Sequence, residues 1–413
     1  MKLMEVNIER LRDLLYEITA ISSTPVGCTR LSYSREDEKV REMLNREFER
    51  LNLEVKIDKL GNIRAKYNPD NLNTPSIMTG SHIDTVINGG RFDGLLGVVA
   101  GLEVINTIDQ SNIGLKYPIE LVIFAEEEGS NFGVTMLGSK YMTNRIDIDY
   151  LKQIHNDENK SAYDMIKEEG YMDNEDYFIH KDDIKCMIEF HIEQGPVLDL
   201  EGYSVGIVDR IAGMNTIMVN LIGQSNHAGT TPMKIRNDPM VAAGEMIYKL
   251  SKIYKDNNLK NNVITVGKIK ARPNNSNVIV ANVEFFIDVR DVDYDDQRTA
   301  LEKVEELYGE IIDKYNIEGE FKEIGYSDIV ITSDFVKNAV INTAEELGIK
   351  YKIMNSGAVH DNAMLNGIVD HGMIFVPSIG GISHDPREYT DFKDIEIGGN
   401  LLLNTILNMN KIE

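Results

Sequence analysis

The sequence predicts an α/β protein: a mixed, mostly parallel sheet covered by helices, with an α+β domain of ferredoxin-like order inserted into it. Three observations predict this. In the first half, short apolar runs that close in glycine-containing loops alternate with helix-spaced segments, the rhythm of a sheet with both faces covered. Between about residues 212 and 326 the order becomes strand, helix, strand, strand, helix, strand, that of the ferredoxin-like sandwich. The earlier rhythm then resumes at 334–347 and 373–376, so the middle segment reads as an insertion. The expected domains are 1–211 with 327–413, and 212–326.

Residues 1–18 space Val6, Leu11, Leu14, Leu15 and Ile18 as one face of an amphipathic helix and lack the apolar stretch of a signal peptide. Residues 36–51 place Val40, Leu44, Phe48 and Leu51 on one helical face, and 53–57 with 63–67 flank Gly61-Asn62 as a hairpin. A strand from 76 precedes a helix at about 94–107 and further strands at 119–125 and 186–190. In the insertion the spacing predicts a strand at 216–222, a helix at 239–254, strands at 263–269 and 278–289, a helix at about 296–315 and a strand at 318–324. Along 283–290, Phe285, Ile287 and Val289 face one way and Glu284, Phe286, Asp288 and Arg290 the other. Arg290 thus ends a strand on its mostly polar face, open either to an anionic ligand or to a salt bridge with Asp288 or Asp291.

At 413 residues the chain has room for two or three domains, and its 42 % apolar and 27 % charged content is ordinary for a globular protein. A net charge of -24 argues against nucleic-acid binding, because no concentrated basic surface is available to neutralise phosphates. No apolar run reaches membrane-spanning length; Glu103 interrupts the longest candidate, around 98–105. The only cysteines, Cys28 and Cys186, are too few for a disulfide framework, so a cytoplasmic location is expected. Cys186 reads as core; Cys28 has no evident role.

Four of the apolar runs deliver His or Glu into glycine-containing loops: Gly80-Ser81-His82-Ile83-Asp84, Glu126-Glu127-Glu128-Gly129, His191-Ile192-Glu193-Gln194-Gly195, and Gly380-Gly381-Ile382-Ser383-His384. One His-x-Asp alone is more often a surface hydrogen-bonded pair, but its recurrence after strand ends favours convergence on one site. His82, Asp93, Glu128, His191 and His384, with Glu127 beside them, exceed the needs of one tetrahedral zinc and suit two metals about 3.5–4 Å apart. Asp93, between Gly90 and Gly94, is the natural bridge, and Asp84 is placed to orient the His82 imidazole. Neighbouring glutamates point to opposite sides, so one of Glu127 and Glu128 can bind metal while the other takes a proton; the sequence leaves their order open. His155, His180 and His371 lie outside these loops and read as surface or packing residues.

These motifs, with Asn88-Gly89-Gly90-Arg91-Phe92-Asp93-Gly94 and His227-Ala228-Gly229-Thr230-Thr231-Pro232-Met233, resemble the hydantoinase/carbamoylase branch of the M20 metallopeptidase-like amidohydrolases along essentially the whole chain. The resemblance implies two divalent ions per subunit, zinc first, with manganese, cobalt or nickel as alternatives. One would be held by His82, Asp93 and His191, the other by Asp93, Glu128 and His384, leaving Glu127 as general base. It further implies a homodimer whose inserted domains pair and act as lids, with His227 reaching the partner's site to bind the developing oxyanion. Gln194, Asn277, Arg290, Gly357 and His360 are the implied substrate contacts. The implied reaction is hydrolysis of a small ureido carboxylate: an N-carbamoyl-L-amino acid, a β-ureido acid or allantoate, with the first slightly favoured. His191, where peptidase relatives usually carry a carboxylate, argues against a dipeptidase or aminoacylase. A metal-free interaction module would be expected to have lost ligands, and all five are present. The sequence departs from the family pattern at Val359 and Asn362, both bulkier than usual and expected to alter the pocket.

Overall fold

The computed structural model describes residues 3–411, so Met1 and Lys2 of the predicted N-terminal helix lie outside the described residues; the helix itself spans Ile8–Thr19. The chain divides into two compact units, one built from residues up to Asp209 and from Ile331 onward, the other from Arg210–Val330. Among the described residues no helix is long and apolar enough to cross a membrane.

The first unit is organised by one sheet whose neighbouring strands run Glu54–Ile57, Ile63–Tyr67, Ile119–Phe124, Ser76–His82, Ile184–Ile192, Asp370–Val376 and Val205–Ile211. Ser76–His82 lies parallel to both Ile119–Phe124 and Ile184–Ile192, which is parallel to Asp370–Val376. The margins are antiparallel. Every residue of Ser76–His82 and Ile119–Phe124 is buried, as expected for strands covered on both faces. Helix Leu95–Ser111 is apolar almost all round and buried from Leu95 to Ile108. Glu103, the one charge in that run, is 2 % exposed and accepts from the guanidinium of Arg10 at 2.6 and 2.7 Å and from the Asn7 amide at 2.8 Å. The residue that interrupts the apolar pattern therefore anchors the N-terminal helix. Both cysteines are buried and form no disulfide, and the Cys28 backbone forms an antiparallel bridge with Gly89.

The second unit is a four-stranded antiparallel sheet in the order Glu318–Ser327, Gly213–Ile222, Asn282–Asp291, Val263–Arg272. Helices Pro239–Leu250 and Tyr294–Tyr315 pack on it through Ala242, Met246, Val304 and Ile311, against Ile217, Val219, Phe285 and Ile287. Asn282–Asp291 alternates strictly between half-buried and buried residues, as its spacing predicts. Two expectations need correction. The run 278–289 is not one strand: Val278–Ile279 pairs with Asn226–His227 as a separate ribbon, and the sheet strand begins only at Asn282. Apolar character continues across the break, so periodicity carries no mark of the change of partner. The helix expected over 239–254 ends at Leu250, with a further short helix at Ile253–Asp256. Strands Val205–Ile211 and Tyr351–Ser356 and the last helix, Phe392–Met409, have no counterpart in the sequence reading.

Candidate metal centre

The parallel strands end at one edge of the sheet, and that edge collects the predicted donors. His82 is the last residue of its strand, Glu127 and Glu128 follow Phe124 closely, and His191 is the penultimate residue of Ile184–Ile192. His384 lies in the loop after Asp370–Val376. Two three-residue groups, His82 with Asp93 and His191, and Asp93 with Glu128 and His384, each bring one donor atom per residue within 4.8 Å of the others. Asp93 belongs to both. Its Oδ1 lies 3.2 Å from His191 Nε2 and 3.9 Å from His82 Nε2, and its Oδ2 lies 3.1 Å from His384 Nε2. Glu128 faces His384 at 3.4 Å, whereas Glu127 faces His82 at 3.7 Å.

Local backbone geometry makes this convergence possible. Gly94 has φ of 63°, and a Cβ there would stand 2.3 Å from the His82 ring. Gly90 has no positive φ; it makes room for the Glu388 carboxyl, 2.0 Å from where a Cβ would be. Glu126, Gln194 and His384 adopt φ of 54°, 58° and 56°, a left-handed conformation uncommon outside glycine.

Asp84 meets His82 as expected, but through its backbone rather than its carboxylate. The closest partner of His82 Nδ1 is the Asp84 backbone carbonyl at 3.0 Å, while the carboxylate Oδ1 stands at 3.6 Å. That carboxylate instead accepts the amide N–H groups of Glu127 at 3.2 Å and Glu128 at 3.1 Å, fixing the turn that presents both glutamates. His360 is 3 % exposed, bonds Ser356 Oγ through Nε2 at 2.9 Å and sets its ring edge-on to His191 at 4.6 Å, so it buttresses His191; Gly357 is exposed. Asn362 is fully buried, with its Oδ1 2.7 Å from His371 Nδ1 and its Nδ2 donating to Gly372 O, so its extra bulk is spent in the interior. Val359 is half-buried. His155 and His180 are exposed and His371 packs inside, as read from the sequence.

In the inserted unit, His227 Nδ1 accepts the amides of Gly229 at 3.1 Å and Thr230 at 3.3 Å, so the proton of the neutral ring sits on Nε2. His227 pairs with Val278, and the Asn277 carbonyl accepts from Ala228, which brings His227 and Asn277 onto one ribbon. The Arg290 fork engages Asp288 at 2.9 and 3.1 Å, the internal salt bridge that its sequence position left open, while Asp291 bonds Asn262.

The sequence reading missed three buried carboxylates: Glu189, Asp361 and Glu388. Glu189 accepts from Ser81 Oγ and the Asn362 amide, Asp361 from Ser139 Oγ, and Glu388 from the amides of Phe92 and Asp93. Glu388 stands four residues after His384 in a charged stretch, which a sequence reads as solvated surface.

The donor set fits divalent cations: imidazole and carboxylate mixed, in two groups sharing one carboxylate. The ion-pair partners described for Asp93, Glu127 and Glu128 are histidines, and Gln194 Oε1 is buried with no hydrogen-bond partner among the described residues. Charge among these groups is accordingly strained. Burial, then neighbouring carboxylates, pushes Glu127 and Glu128 well above the usual range and Glu126 to about 8. Burial alone would lower His191, but the hydrogen bond and charge of Asp93 lift it to about 9.

A pH dependence follows. With folded values raised, Glu126, Glu127 and Glu128 keep protons that the unfolded chain releases above about pH 4.5, so stability falls as pH rises beyond that point. The His191 contribution is complete below about pH 6.5 and is lost as pH climbs through about 9, the same direction. Chelator-treated protein is expected to show a lower Tm at about pH 8.5 than at about pH 5.5, and added metal to raise Tm more at the higher pH, where fewer protons must be displaced. Differential scanning calorimetry checks both; a Tm that rises with pH in the metal-free protein contradicts the assignment.

A match to peptidase family M20/M25/M40 covers residues 78–408. An N-carbamoyl-L-amino-acid amidohydrolase from Pseudomonas sp. (strain NS671) is 36% identical over 98% of this chain and 99% of its own length. An allantoate amidohydrolase from Bacillus subtilis (strain 168) is 35% identical over 91% of each. The crystal structure of an amidase of the hydantoinase/carbamoylase family from Burkholderia multivorans superposes with a TM-score of 0.89 at 30% identity, covering 98% of both chains. The chain belongs to peptidase family M20/M25/M40, in its hydantoinase/carbamoylase branch. It is a hydrolase of the amidohydrolase type.

Proposed function

We propose that this protein is a binuclear metal-dependent amidohydrolase that converts an N-carbamoyl-L-amino acid and water to the amino acid, carbon dioxide and ammonia. The observation that carries the reading is the pair of three-donor groups sharing Asp93 at the ends of parallel strands. His82, Asp93 and His191 would hold one ion and Asp93, Glu128 and His384 the other, zinc being favoured and manganese, cobalt or nickel compatible with the donors. When bound, the ions supply Lewis acidity to the carbonyl and to the attacking water.

The chain's own groups do the rest. Glu127, buried and beside His82, takes the proton from water and returns it to the departing nitrogen. His227 offers Nε2–H to the carbonyl oxygen as it becomes anionic. Arg290 and Asn277 bind the substrate carboxylate, Arg290 exchanging Asp288 for it, and Gln194 contacts the substrate beside the metals. The inserted unit serves as lid and dimerisation domain of a homodimer, and the two unpaired cysteines suit a cytoplasmic setting. Allantoate is the second reading, favoured by the allantoate amidohydrolase relative.

Ammonia release from N-carbamoyl-L-amino acids, a β-ureido acid and allantoate, and amino-acid release from a dipeptide, each before and after chelation, test the proposal. Highest kcat/KM on a carbamoyl amino acid, abolished by chelation, is expected; highest kcat/KM on allantoate selects the second reading, and turnover of the dipeptide alone refutes both. Arg290→Ala is expected to raise KM by about tenfold to about a hundredfold, the worth of a charge-assisted hydrogen-bond fork, with kcat little changed. An unchanged KM with a lowered Tm means that Arg290 serves the fold and not the substrate.

A further inference from the structure

We infer that Glu388 is a positioning residue of the metal centre: its carboxylate ties the turn presenting Asp93 to the loop presenting His384 and keeps the Ser383 proton off the Asp93 carboxylate. The inference rests on the proposed reading of Asp93 and His384 as ligands. Glu388 is 3 % exposed, and its Oε1 accepts the backbone N–H of Phe92 at 2.9 Å and of Asp93 at 3.1 Å. Its Oε2 lies 2.8 Å from Ser383 Oγ, which is also 3.2 Å from Asp93 Oδ2. A hydroxyl has one proton to donate, and the shorter contact directs it to Glu388. Asp93 Oδ2, which already accepts from Gln194 Nε2 at 2.8 Å and faces His384, thereby keeps electron density for a cation. One buried carboxylate thus joins two ligand-bearing segments that lie 290 residues apart in the chain.

Gly90 supports this independently. It is not among the positive-φ glycines, so backbone conformation does not require glycine there. Its hydrogen faces the Glu388 carboxyl, and a methyl group in its place would stand 2.0 Å from the carboxyl carbon. Gly90→Ala therefore evicts the carboxylate without altering its charge. Glu388→Gln acts differently: the two amide donors hold the glutamine carbonyl at the Oε1 position, so its NH2 faces Ser383, donates to Oγ and turns the hydroxyl proton onto Asp93.

The test is zinc affinity of the metal-stripped protein, measured by competition with a chromogenic chelator, with a cooperative melt of the stripped protein as the control for folding. Both Glu388→Gln and Gly90→Ala are expected to weaken zinc binding by about 10–100-fold, the usual consequence of losing a residue that orients metal ligands. The Ser383→Ala/Glu388→Gln double variant is expected to lose less than Glu388→Gln alone, since the misdirected proton is gone; a purely structural defect would make the double variant worse. Should Glu388→Gln not melt cooperatively, Gly90→Ala carries the test. Folded variants that bind zinc within about twofold of the parent overturn the inference and leave the ligand assignment standing. A double variant that loses more than Glu388→Gln also overturns it. A parent protein that binds no zinc overturns both.

Discussion

Replacing Glu127 with glutamine is expected to lower kcat by about 10²–10⁴-fold while leaving the metal content intact. The amide preserves the shape of a side chain that is 8 % exposed but cannot accept and return a proton. Its neighbour should behave in the opposite way. Glu128 stands 3.4 Å from His384 in the group that shares Asp93, so Glu128→Gln removes a donor and should lower metal occupancy first, with activity falling in proportion. Inductively coupled plasma mass spectrometry of each purified variant, beside its ammonia-release kinetics, separates the two roles. If Glu127→Gln loses metal and Glu128→Gln retains it, the roles are exchanged.

The second large effect is expected at His227. Its Nδ1 is engaged by two backbone amides, so Nε2–H is the donor available to a developing oxyanion, and losing one such donor costs about 10²–10³-fold in kcat. KM should change little, because the contact strengthens only as charge develops. If His227 serves the neighbouring subunit, Glu127→Gln and His227→Ala chains complement each other. Their heterodimer holds one site with both residues intact and one lacking both, so co-expression should restore up to about half the activity per dimer. Heterodimers verified by dual-tag purification that remain as inactive as their parents place His227 in its own subunit's chemistry or outside the reaction.

Much of the candidate centre was legible in the sequence. His82, Glu127, Glu128, His191 and His384 could be singled out because each follows an apolar run, and Asp93 because it sits in a glycine-rich turn; parallel strands must deliver their following loops to one sheet edge. The strand order of the insertion was legible for a similar reason: period-2 and helix-period spacing are local properties of the chain. The tertiary structure decided which partner each group takes. Nothing in the spacing shows that the Asp84 carboxylate caps two amides while its backbone carbonyl holds His82, or that the Arg290 fork rests on Asp288. Nor does it show that Val278–Ile279 leaves the sheet to pair with Asn226–His227. Glu388 is the clearest case. In sequence it is one acidic residue in a charged loop; folded, it lies between segments from opposite ends of the chain, with Gly90 leaving it room. Periodicity reports which side of an element a residue faces. Which distant polar group meets it there is set by the packing of elements far apart in sequence, because a buried polar atom must find its partner wherever the fold supplies one.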